Sequence, residues 1–259
     1  MSENDATLLE LCRQDRERYL CALSASPDKQ SGLMALIAFN QELACIPHTV
    51  SEPMLGKIKL QWWIDVVPGI LQGRPPSHPV AQALAQTRDV LLQRSVPLRT
   101  LAEARNFDLE PGKPTSLDAL VAYARTTGGG LQVLMLGVLE IADENVRRAA
   151  EDVGTAWALI GLMRALPYPA IGRRDMLPHD TTVREVLGHA ADLLQGARMR
   201  LSTHAVVKPA LPALIIARLA DRHLKRLEKQ NWDPAACEEP PAGLGAVASV
   251  WWGKLTGRF

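Results

Sequence analysis

Apolar residues along this chain recur at three- and four-residue spacing and almost never alternate, which is the pattern of helices rather than strands. Leu8, Leu11, Arg18, Tyr19 and Leu23 predict a first helix, stopped at Ser26-Pro27. Leu33, Leu36, Ile37, Asn40 and Leu43 predict a second. Ser51-Glu52-Pro53 reads as a helix start, with Ser51 as N-cap and Pro53 in the first turn. The helix it opens carries Ile58, Gln61, Trp62 and Asp65. GRPPSHP, Gly73 to Pro79, breaks the pattern. Further helices are expected over roughly Val80 to Gln93, Leu98 to Phe107, Ser116 to Leu139, Glu144 to Leu166, Thr182 to Ser202 and Pro209 to Gln230. Three prolines in LPYPAIGRRDMLPHD, Leu166 to Asp180, forbid a continuous helix there. EEPPAG forms a short linker before a tail ending VWWGKLTGRF. The expected class is all-α. No repeat and no long linker divides the chain, so one domain over 1–259 is expected, with 241–259 as a peripheral helix.

Composition narrows the function classes. A chain of 259 residues buries a large core without staples. A net charge of +1 provides no global field to gather nucleic acid or anionic membrane, which leaves only local patches. Cys12, Cys21, Cys45 and Cys237 form no CxxC pair, and no His pair has zinc-site spacing, so reduced thiols are expected. The start, MSENDATLLELCRQD, has neither the basic opening nor the apolar run of a signal peptide. No apolar stretch approaches the length of a membrane span. The expected location is the cytoplasm, with a peripheral contact on the inner membrane through the tail. Trp251, Trp252, Lys254, Leu255, Arg258 and Phe259 suit a membrane interface, and suit a core-capping segment nearly as well.

Two stretches, Ala35 to Val67 and Tyr123 to Asp180, resemble the squalene/phytoene synthase family. The resemblance implies an isoprenoid-synthase-type helical bundle around a central cavity. Family enzymes join two prenyl diphosphates head to head, using two aspartate-rich motifs that hold magnesium. Two Asp at i and i+4 share a helix face and can hold a hard cation together. With Phe39 aligned to the aromatic before the first motif, Ala44 and His48 stand at its aspartate positions. With Gly154 and Arg164 aligned to the second, Ala165 and Pro169 stand there. No DxxxD pair exists in either region. AFNQELACIPHTVSEPMLGKIKLQWW and LMRALPYPAIGRRDMLPHD resemble, more narrowly, the assembly factors of respiratory complex I within this family. That resemblance implies a pseudoenzyme with no cofactor, whose partners are complex I (NADH dehydrogenase) subunits or assembly intermediates. Two rivals stay open. One is a magnesium-dependent prenyl transferase acting on prenyl diphosphates. The other is a carrier that binds prenyl or phospholipid chains.

Residual cavity or anion-binding chemistry points to Arg164, Arg173, Arg174, Lys57 and Lys59, with Tyr123 and Gln61 as cavity-lining residues. The plainer reading of the loop and lysine cations is a solvated face. Arg164 sits among apolar neighbours, so it is expected to enter the cavity or pair with a buried acid. Adjacent Trp62 and Trp63 are expected to divide between interface and core. TGGG, Thr127 to Gly130, lacks nucleotide-loop spacing and is expected to permit close helix packing or a kink.

Overall fold

Helix follows helix through the computed structural model, which describes residues 3–92, 98–168, 175–202, 207–236 and 243–259. Among the described residues there is no strand. Two helices, α1 (Glu3–Gln14) and α2 (Arg16–Leu23), replace the single first helix expected. Asp15 divides them. Its carboxylate accepts from the Arg18 backbone N–H at 3.3 Å and from the Arg18 guanidinium at 2.7 Å. A side chain that caps a new turn competes with continuing the old one. Helix α3 (Pro27–Cys45) opens on a proline, whose missing N–H costs nothing in the first turn. It buries Leu33, Leu36, Ile37, Phe39 and Asn40.

Helix α4 (Pro53–Leu71) corrects one expectation: its N-cap is Glu52, not Ser51. Pro53 fixes a helical φ at the first helical position, so the residue before it becomes the cap. Beyond α4, Gly73 turns the chain at φ +74°, a conformation glycine adopts freely. The helix expected over 80–93 is split at Thr87 into α5 (Pro79–Gln86) and α6 (Arg88–Leu91). Helix α7 (Leu98–Ala104) tightens into a 3₁₀ turn over Arg105–Leu109.

Helix α8 (Leu117–Ala124) has Ser116 as its side-chain cap and runs into a π turn over Arg125–Gly129 before α9 (Gly130–Val138). Every residue of α9 is buried. Helix α10 (Glu144–Arg164) is the central post. It packs against α9, α8, the π turn, α11 (Val183–Leu201) and α13 (Ile216–Lys229). A Cβ on Gly128 would collide with the Gly154 carbonyl, and one on Gly154 with the Gly128 carbonyl. TGGG therefore lets two backbones touch. A capping box, Thr182 with Glu185, starts α11. Helices α12 (Val207–Leu214) and α14 (Leu244–Thr256) complete the set, and EEPPAG lies mostly outside the described residues. One connected apolar core reaches from Cys12 to Val250. Among the described residues no helix is long and apolar enough to cross a membrane.

Candidate functional site

A cavity of about 180 Å³, open to the surface on one side, lies between α2, α3, the π turn and α10. Ligand pockets for drug-sized molecules run from about 300 to 1,000 Å³. Arg18, Asn40, Ala44, Arg105, Tyr123 and Trp157 line it. Its polar groups are spent largely on one another. Arg105 donates to Asn40 Oδ1 at 2.9 Å and to Tyr123 Oη at 2.9 Å, and lies 3.4 Å from Asp108 Oδ2. Tyr123 in turn donates to Asp108 Oδ1 at 2.5 Å. Burial pushes the Tyr123 phenol well above its ordinary value, so it stays a donor. Across the cavity Arg18 pairs with Asp15 at 2.7 Å and sits over the Trp157 ring at 5.9 Å.

Two arginines thus face two carboxylates, and the cavity carries little net charge. Each guanidinium keeps one buried Nε without a hydrogen-bond partner among the described residues. A water or a small anion would satisfy such donors. A multiply charged diphosphate would find both cations already neutralised.

A second polar cluster lies beyond Trp157. His223 packs against that ring at 5.7 Å, and its Nε2 lies 2.9 Å from Glu17 Oε1. Arg164 Nη1 approaches Glu17 Oε2 at 3.7 Å. Burial raises the Glu17 carboxyl, but the His223 hydrogen bond and the charges of His223, Arg164 and Arg226 outweigh it, leaving the group below its usual range.

Of the residues singled out from sequence, Tyr123 reaches the cavity and Arg164 pairs with Glu17. Gln61 does not line the cavity: it is exposed and bonds Asp65 at 2.7 Å. Its i,i+4 partner holds it on the outer face of α4. Lys57 and Lys59 are exposed as well, Lys59 donating to Thr49 Oγ1 at 3.2 Å. Arg173, Arg174 and Pro169 lie outside the described residues. Trp63 is buried edge-on against Phe39, while Trp62 is exposed. Both border an open groove of about 530 Å³ with Leu11, Ile46, Lys59 and His78. Sequence reading missed Arg18 and Arg105. Their one signal was an acid three residues away, Asp15 before Arg18 and Asp108 after Arg105.

The family model for squalene/phytoene synthase matches residues 11–208. The chain belongs to the squalene/phytoene synthase family. Its similarity within the family is to proteins named NADH dehydrogenase (ubiquinone) complex I, assembly factor 6. The Bos taurus protein is 31% identical over 90% of this chain and 76% of its own. The Homo sapiens protein is 31% identical over 88% and 75%. The Drosophila melanogaster homolog is 25% identical over 95% and 82%. Among solved structures, a dehydrosqualene synthase superposes with TM-score 0.76 at 15% identity, covering 98% of each chain. Squalene synthase HpnC from Alicyclobacillus acidocaldarius gives 0.69 at 17%, covering 90% of this chain and 97% of that one. These likenesses carry the fold.

The squalene/phytoene synthase fold implies magnesium, and the residues present do not fit it. Of the positions set against the family's aspartates from sequence, Ala44 lines the cavity, His48 is exposed, and Ala165 offers no ligand atom. Asp15, which lines the cavity, and Asp108, behind Arg105 and Tyr123, are engaged by Arg18, Arg105 and Tyr123. Among the described residues no group of three or more His, Cys, Asp or Glu could hold a metal ion.

Proposed function

We propose that this protein is a squalene/phytoene-synthase-like assembly factor for respiratory complex I that performs no prenyl transfer. The cavity carries the negative half of this reading. The positions aligned with the family's aspartates are Ala44, His48, Ala165 and Pro169, and the cavity's arginines are bonded to the protein's own side chains. Expelling diphosphate requires its charge to be neutralised, and losing one well-placed stabilising group commonly costs a factor of about 10² to 10³. Here the whole donor set has changed. The positive half rests on likeness to the assembly factor 6 proteins over most of the chain. The partners would be complex I subunits or assembly intermediates, met at the protein's surface.

Deleting the gene should lower the amount of assembled complex I, with the wild-type gene restoring it. Normal complex I in the deletion strain would refute the assembly role. Purified protein given magnesium and farnesyl diphosphate should release no diphosphate; turnover would restore the prenyl transferase reading.

A second reading, a carrier of prenyl or phospholipid chains, is favoured by the groove beside Trp62 and Trp63. Its volume of about 530 Å³ and its Leu11 and Ile46 walls suit an apolar chain, with Lys59 at the rim. Native mass spectrometry of the purified protein should then reveal a co-purified lipid mass, and a bare chain mass would count against it.

A further inference from the structure

Helix α14 is apolar on two faces, one turned inward and one outward. Ala246, Val250 and Gly253 turn inward, where Gly253 meets the side chains of Ile215 and Arg218 closely enough to exclude a Cβ. Leu244, Ala248, Trp251, Trp252 and Leu255 recur at three- and four-residue spacing and turn outward. That outer face is bare. Leu244 is 89% exposed, Leu255 79%, Trp252 61% and Trp251 46%. Single exposed apolar residues are ordinary, but a contiguous helix face of them marks an interaction surface.

Charge around the face says what covers it. Residues 243–259 contain no Asp or Glu. Lys254 stands 4.9 Å above the Trp251 ring, and Arg258 is exposed at the helix end. Arg222 lies against Gly245, and Arg218 donates to the Ser249 carbonyl at 3.0 Å, so α13 adds cations along one edge. Tryptophan rings and leucines rimmed by long cations match the boundary of a bilayer, where rings rest at headgroup depth and cations meet anionic lipid.

We propose that α14 lies flat on a membrane surface containing anionic phospholipid. Its outer face enters the headgroup boundary, and Lys254, Arg258 and Arg222 contact lipid phosphates. At 13 residues the helix is about 20 Å long, too short to cross a bilayer and well suited to lying on one. Docking on lipid needs no partner protein and stands apart from the assembly role.

The full chain should pellet with mixed phosphatidylcholine–phosphatidylglycerol vesicles, with a blue shift of tryptophan emission. It should bind pure phosphatidylcholine several-fold more weakly, and salt should weaken binding further. Trp251→Ser with Leu255→Ser should lower partition by at least about tenfold, since each removes apolar area that the bilayer would cover. Lys254→Gln with Arg258→Gln should abolish the preference for anionic vesicles. All four positions are exposed, and an unchanged melting temperature certifies the variants as folded. Absence of pelleting by the wild type, or equal pelleting of the Trp251/Leu255 variant, overturns the proposal. So does vesicle-free dimerisation in light scattering that the same variant abolishes, because a second copy would then be the cover.

Discussion

Arg105 gathers partners from three parts of the chain: Asn40 from α3, Asp108 from its own 3₁₀ turn and Tyr123 from α8. Removing it leaves the Asp108 carboxylate buried without its cation. Breaking a buried pair from one side costs about 3–5 kcal/mol. Arg105→Ala should therefore lower the free energy of unfolding by an amount in that range, read from urea titration. Arg105→Lys should recover little, because an ammonium has no planar fork to reach Asn40 and Tyr123 together. Glu17 gives a pH signature. Its folded pKa lies below the ordinary 4.5, so its contribution is complete above that pH and fades as pH falls through the folded value. Glu17→Gln should flatten the acid limb of the stability curve; equal slopes in the two proteins would remove Glu17 from the account. Cys12 and Cys21 behave as packing. Burial pushes the Cys12 thiol up to about 12 and the Cys21 thiol higher still, so both should resist thiol reagents until the protein unfolds.

Elements show where the sequence was legible and where it was not. Helical spacing located α3, α10 and α11 well, because a long helix facing one core repeats its apolar positions many times. Breaks were harder. Asp15 could cap a new helix or decorate an old one, and spacing alone does not choose. Arg105 to Leu109 keeps helix-like spacing while tightening to 3₁₀, since the change is in hydrogen bonding rather than in composition. The glycine run announced irregular packing, but not that Gly128 would meet Gly154, a contact made by two helices distant in sequence. Gly154→Ala should cost about 1–3 kcal/mol or more by overpacking, despite alanine's better helix propensity, and a thermal melt reads it directly. The cavity was legible through Tyr123, Ala44 and the glycine run, but not through its arginines. Arg18 and Arg105 each look like one half of a surface i,i+3 pair, and it is the surrounding helices that bring them inside.

At the scale of the molecule, a net charge of +1 conceals an uneven surface, with an acid-free, tryptophan-bearing end at α14 and a neutralised interior. The interior predicts a silent ligand test. Magnesium with farnesyl diphosphate should leave the melting temperature unchanged, whereas a site bound at 100 times its Kd would add about 2.7 kcal/mol. A concentration-dependent rise would reopen the cavity as a binding site. The pairing of Glu17 with His223 has a different kind of consequence, one of timing. The two are 206 residues apart, so while the ribosome is still at work the acid has already emerged and its partner has not. Helices α1 and α2 can pack on α3 early, while the contact of α2 with α13 forms only after residue 223 has been made. A chain stalled before residue 223 would leave the Glu17 carboxylate without its histidine partner.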